Sequence, residues 1–269
     1  MPNTPIPSLF VSHGGPNVVI DPSEARDFLK GLADHVPAPS AILIMSAHFE
    51  TDGVAVVTDP APETLYDFGG FAPELREIKY QAPGDPELAA KVLSLLEDAG
   101  LEPQAIAKRG YDHGTWNPLF LGWPDADVPV VQVSIDPGGD AAWHWRVGEA
   151  LAALRDDGVL IIGSGHITHN LRAVFSAMRS DLPTDPEMAD KVDAFIAWIS
   201  EQIDKGDAEA LKAWTERAPF VADNHPTDEH LMPLFFALGA AGGTWRADHL
   251  HASRQFGFFA WDSWAFHAA

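Results

Sequence analysis

Three largely apolar runs, Ala41–Ala47, Val128–Ile135 and Val159–Gly163, constrain this chain more than any other feature. Each has strand length, and Ala41–Ala47 is a continuous apolar run, as expected of a strand covered on both faces. A shorter run, Ser8–Ser12, precedes them. Between and after them lie stretches with helical spacing. Ser23–His35 begins after Pro22. Pro86–Ala99 carries apolar residues at i, i+3 and i+4 and ends at Gly100, a stop signal. Ala141–Asp156, Asp185–Gly206, Ala208–Arg217 and Glu229–Ala241 read as further helices. Strands alternating with helices predict the α/β class: one domain, residues 1–269, with a mostly parallel central sheet flanked by helices.

Two segments complete the expected sheet. Gly53–Thr58 is a β-branched run able to pair beside Ala41–Ala47, and Thr244–Trp264 reads as a strand pair closing the sheet. The longest irregular region, Asp59–Gly84, is rich in Pro, Gly and aromatic residues. A loop of that length in a compact domain is usually functional, and its composition suits a lid or pocket wall.

The chain has no cysteine, which excludes disulfides, thiolate zinc sites, iron–sulfur clusters and cysteine nucleophiles. A net charge of −22 and the lack of a basic stripe argue against a nucleic-acid partner. No apolar stretch approaches the roughly 20 residues of a membrane span, and the first residues lack a signal pattern. A cytoplasmic protein, a monomer or small homo-oligomer, is expected. No G-x-S-x-G elbow, Walker loop, G-x-G-x-x-G after the first strand or H-E-x-x-H occurs.

The chemistry therefore points to the histidines. His13 follows the Ser8–Ser12 run and precedes Gly14-Gly15-Pro16; His48 ends the apolar run from Ala41; His166 and His169 follow the run from Val159. His230 opens the apolar stretch at Glu229, with Glu229 beside it. Singly, each reads as a packed structural histidine. Together, beyond the carboxyl ends of strands where open α/β sheets bind ligands, they read as a metal site. Imidazole, with or without a carboxylate and without thiolate, suits non-haem iron or catalytic zinc. On spacing alone His113, in YDHGTW, reads as a turn histidine. His35, His144, His249, His251 and His267 read as surface or packing residues.

At these positions the chain resembles the class III extradiol ring-cleavage dioxygenases, in their 4,5-DOPA dioxygenase-like branch. The motifs run along essentially the whole chain. They are SHGGP at 12–16, SAHF at 46–49, YDFGGFAPEL at 66–75, APGDPELA at 82–89 and DHGTW at 112–116. They continue as WPDADVPVVQVSID at 123–136, GSGHITHNLR at 163–172 and HPTDEHLMPL at 225–234. In that order the set is highly specific. Gly15 and Phe49 stand where the family more often has Ser and Trp, and His166 stands where Asn or a small polar residue is expected.

The resemblance implies a metal held by His13, His48 and His230, with Glu229 as the alternative to His230. It implies that His169 is either a further ligand or the acid/base, and that His113 lies near the substrate. Tyr66, Phe68, Phe71, Trp116 and His166 are candidates for contact with an aromatic ring. The implied reaction is extradiol cleavage of a catechol, DOPA-like or simple, by O₂ to a ring-opened semialdehyde. Fe(II) is the expected working metal, and Zn(II), which binds such sites more tightly, can occupy it on purification. A zinc-dependent hydrolase and a non-catalytic metal-binding protein are the alternatives on the same fold.

Overall fold

The computed structural model describes residues 5–179 and 185–269. Its strands are β1 (Ser8–Ser12), β2 (Ala41–Glu50), β3 (Ala55–Val57), β4 (Gln104–Ile106), β5 (Val130–Ile135), β6 (Val159–Gly165), β7 (Trp245–His251), β8 (Arg254–Gln255), β9 (Phe259–Ala260) and β10 (Ser263–Ala268). Eight form one sheet in the order β4-β3-β5-β2-β6-β1-β10-β7, and β8 and β9 form a separate hairpin. The middle four, β5, β2, β6 and β1, run parallel. They are the four apolar runs, and they are buried almost without interruption. Antiparallel strands flank them, β3 on β5 and the β10–β7 pair on β1. The result is the expected α/β domain with a largely parallel centre.

The helices are α1 (Glu24–Lys30), α2 (Pro86–Asp98), α3 (His113–Gly122), α4 (Ala141–Leu151), α5 (Leu171–Met178), α6 (Met188–Lys205), α7 (Ala208–Lys212), α8 (Trp214–Arg217), α9 (Val221–Asn224) and α10 (Met232–Ala241). Aspartate or asparagine side chains cap α2, α3, α4, α5 and α7, each accepting a hydrogen bond from a first-turn backbone N–H. Every residue of α10 is buried, between the sheet and α4. Such a helix has no polar face to give it a period.

β6 shows how the two faces are used. Successive side chains point to opposite faces of a strand. An added Cβ on Gly163 would lie 1.9 Å from the Pro233 carbonyl oxygen, and one on Gly165 2.1 Å from that of His230. Only glycine lets the start of α10 approach this closely. Between them, Ser164 faces the other way and donates to the Gly114 carbonyl of α3. β6 thus carries the α10 segment on one face and α3 on the other.

Several expectations are corrected. The Ser23–His35 helix breaks at Gly31, which ends α1; a 3₁₀ turn, Leu32–His35, follows. The Gly53–Thr58 run forms β3, but it pairs with β5 and β4, because β5 already occupies the edge of β2. The final strand of the closing pair is Ser263–Ala268, since Arg254–Ala260 folds back as the β8–β9 hairpin. The helix expected from Glu229 begins only at Met232, with Pro233 in its first turn, so Glu229 and His230 lie in the turn before it. α3 was not expected. Its hydrophobic periodicity is weak because nearly all of it is buried, and Pro118 interrupts it.

Candidate metal centre

Three imidazoles converge beyond the carboxyl ends of the parallel strands. His13 directly follows β1, His48 lies near the end of β2, and His230 is held over Gly165 of β6 by the turn before α10. The His48 Nε2 lies 3.1 Å from the His13 Nε2 and 3.2 Å from the His230 Nε2. Nitrogens bound to one ion at about 2.1 Å lie roughly 3.0–3.4 Å apart, so this spacing fits a shared metal.

The partners of the other ring nitrogens fix which nitrogen carries the proton. His13 Nδ1 lies 3.1 Å from Ser164 Oγ, whose own proton is committed to the Gly114 carbonyl. Nδ1 must therefore donate, and Nε2 keeps its lone pair. That carbonyl is free because Pro118, four residues on, has no N–H to offer it. His230 Nδ1 lies 2.9 Å from Glu229 Oε1, so it too donates and leaves Nε2 as an acceptor. Burial, then the neighbouring imidazoles, hold His13 and His230 well below the ordinary histidine range. His48 falls to about 4, lowered by burial and by His113, with Asp112 and Asp67 opposing. Neutral imidazoles with aimed lone pairs are what a divalent ion requires. The residues present therefore fit a metal.

Glu229 binds through its partners rather than the centre. Its Oε1 lies 2.9 Å from His230 Nδ1 and 3.4 Å from His169 Nδ1. Burial raises its pKa, but hydrogen bonds from His169 and Thr227 outweigh burial and bring it to about 2. The His169 ring stacks on the His230 ring, with centroids 3.3 Å apart and planes at 13°.

His113 is the first residue of α3, its ring centroid 3.9 Å from that of His48. Asp67 of the long loop grips it twice, through the backbone N–H and Nδ1, both at 3.0 Å. Burial opposes ionisation of Asp67, yet these bonds bring its pKa below the usual range. Gly114 is a glycine of necessity: an added Cβ would lie 2.4 Å from Ser46 Oγ, 3.0 Å from the His48 ring and 3.1 Å from the His13 ring. A fully buried carboxylate, Asp112, accepts from Ser46 Oγ, Arg109 and the Thr115 N–H. Arg109 in turn donates to the His48 carbonyl and lies over the Phe49 ring. This network holds β2 and α3 together beneath the centre.

The remaining candidates divide. Phe68 stands 5.9 Å from His113, and Phe71 5.7 Å from Phe68. Trp116 is fully buried and donates to the Leu65 carbonyl, while the Tyr66 hydroxyl is spent on the Ile78 carbonyl. His166 is buried against Phe259 and Trp261, apart from the converging nitrogens, and neither ring nitrogen has a partner. Asp67, Ser164, Asp112 and Arg109 were not anticipated. Asp67 left a trace in the sequence, as the acid between Tyr66 and Phe68 in the aromatic motif of the loop.

A helix-flanked, largely parallel sheet with a histidine centre beyond its strand ends defines a class. The chain belongs to the family described as the catalytic LigB subunit of aromatic ring-opening dioxygenase, whose model matches residues 7–260. It is an extradiol ring-opening dioxygenase. It is 38% identical to a 4,5-DOPA dioxygenase extradiol of Beta vulgaris, over 96% of each chain. It is 39% identical to a protein of the same name from Escherichia coli strain K12, over 90% of this chain and 88% of that one. It also resembles dioxygenase tasH of Hapsidospora irregularis, at 33% identity over 87% of this chain and 78% of that one. The solved structure of an uncharacterized protein, JW3007, from Escherichia coli K12 superposes with a TM-score of 0.76 at 30% identity, covering 97% of this chain and 99% of the other.

Proposed function

We propose that this protein cleaves the ring of a catechol, DOPA-like or simple, with Fe(II) and O₂, giving a ring-opened semialdehyde. The observation that carries this reading is the convergence of three neutral imidazole Nε2 atoms, two with their tautomers set by Ser164 and Glu229. His13, His48 and His230 would hold the ion. When bound, it supplies a template for both catechol oxygens and for dioxygen, and an electron path between them.

The rest falls to the chain. Glu229 orients His230 and, through Nδ1, also His169. With Nδ1 so engaged, His169 Nε2 is available to take a hydroxyl proton from the catechol and to return one to the product. Asp67 sets the His113 tautomer in the same way, so His113 Nε2 accepts a hydrogen bond from the substrate. Phe68, beside His113, offers a ring face or edge to the catechol. The cytoplasm is the expected compartment; among the described residues no helix is long and apolar enough to cross a membrane.

The test is anaerobic reconstitution of metal-stripped protein with Fe(II), addition of L-DOPA and simple catechols, then admission of O₂. Oxygen uptake matched by a yellow ring-opened product, and absent with Zn(II), is the expected result. A filled metal site that consumes no oxygen with any catechol overturns the proposal.

A further inference from the structure

A cavity of about 590 Å³ is lined in part by Gly15, two residues beyond His13. Three segments build its walls. Gly69–Ala72 of the long loop forms one, Leu171, Val174, Phe175 and Met178 of α5 the second, and Phe256, Phe259 and Trp261 around the β8–β9 hairpin the third. Its side nearest the centre carries Gly15 and Phe71; the Phe71 ring stands 5.7 Å from that of Phe68, which stands 5.9 Å from His113.

The lining is unusually apolar for a surface. Among the described residues, seven large hydrophobic side chains are exposed, and five of them line this cavity: Phe71, Leu171, Phe175, Met178 and Phe256. Exposed apolar groups gathered in one place mark a binding site. The charged groups of the lining point the same way. Asp21 and Glu24 are acidic, and the one basic residue, Arg254, is already paired with Asp262 at 2.6 Å and with Asp193. Among the described residues of the lining, a substrate carboxylate would find no free cation and would face two acids. The volume also exceeds what the side chain of an amino-acid catechol fills, since cavities of this size hold drug-sized ligands.

We infer that this enzyme prefers catechols carrying an uncharged apolar substituent, with the ring at the histidine centre and the substituent in this cavity. The inference rests on the ring-cleavage reading and deepens it. Each methylene buried from water favours binding roughly threefold to fourfold. The specificity constant kcat/KM should therefore rise about threefold per carbon from 4-methylcatechol to 4-butylcatechol, and 4-butylcatechol should exceed L-DOPA by more than tenfold. Replacing the exposed residues Leu171 and Phe175 together by Ser should flatten that rise.

Two measurements separate this inference from the reading beneath it. One is the kcat/KM series on the Fe(II)-loaded enzyme. The other is calorimetric titration of metal-free protein with 4-ethyl-, 4-butyl- and 4-hexylphenol, which probe the cavity without catechol chelation or turnover. Affinity rising with chain length in both supports the inference. Catechol turnover with no dependence on chain length, or with L-DOPA favoured, overturns it while leaving the ring-cleavage reading intact. If no catechol turns over, the phenol series decides alone: a rise supports an apolar site, and a flat series overturns it.

Discussion

Removing one hydroxyl, by Ser164→Ala, tests how the centre is built. Ser164 Oγ sits between the Gly114 carbonyl, to which it donates, and His13 Nδ1, 3.1 Å away, from which it accepts. All three residues are buried, so water has no ready route to replace it. The variant leaves a donor and an acceptor unpaired together. Each orphaned buried group costs about 1–3 kcal/mol, and partial relaxation brings the pair to about 2–4 kcal/mol. For a chain of this size that corresponds to a melting point lower by roughly 4–16 °C. The second effect is specific to the metal. Without Ser164 the His13 proton is no longer confined to Nδ1, and losing the partner of a ligating histidine typically weakens metal affinity about 10–100-fold. Competition with a chromophoric chelator would measure the affinity, and calorimetric unfolding of the metal-free form the stability. A variant that loses stability but binds metal within twofold of the parent would refute the tautomer argument and leave Ser164 a packing residue. Pro118→Ala offers a check from the other side. It returns an N–H to compete for the Gly114 carbonyl, so affinity should fall several-fold without a large loss of stability.

Other perturbations have distinct signatures. Gly114→Ala drives a methyl into Ser46 and the His48 and His13 rings; overpacking should cost about 1–3 kcal/mol and displace two of the proposed ligands, so metal content by elemental analysis should drop sharply. His13→Ala should lose the metal, whereas His169→Ala should keep it and lose turnover by at least about 100-fold; elemental analysis beside oxygen uptake separates the two. His144 lies away from the centre, where burial, only partly offset by the Asp140 carbonyl, lowers its pKa from 6.5 to about 4. Its Nδ1 donates to that carbonyl, and its Nε2 accepts from the Asp136 N–H, so only the neutral ring fits. The unfolded chain thus binds the proton first as pH falls. Stability from this group is complete above about 6.5 and declines by up to about 3 kcal/mol on the way to pH 4. Urea unfolding at pH 7.5, 5.5 and 4.5 should show that loss, and it should shrink in His144→Gln.

The parallel centre of the sheet was legible because burial on both faces leaves an unmistakable run of apolar residues, as in β2 and β6. The histidines at the ends of those strands were legible with it. The same logic hid α3 and the start of α10: a helix buried on every side has no period to read, and both carry a proline. Pairing was less legible than strand existence. Nothing in Gly53–Thr58 says that β5 will come between it and β2, since that depends on a partner far along the chain. At the centre, ligand-type residues announce themselves by their chemistry. Their partners do not, because Ser164 and Asp67 are ordinary residues whose roles exist only once distant segments meet.

The order in which the centre can be assembled follows from where its parts lie in the chain. His48 and His230 share a nitrogen–nitrogen contact across 182 residues, and His230 is carried by the turn that docks α10 on the glycines of β6. During synthesis, the sites at His13 and His48 emerge long before the third imidazole exists. If His13, His48 and His230 hold the metal as proposed, partially made chains lack one of the three ligands, and full metal capture awaits the docking of α10. Contacts this remote in sequence form late and slowly. Metal uptake by a refolding population would thus report completion of the tertiary structure rather than collapse, and the lag between helix formation and uptake would time that last docking step.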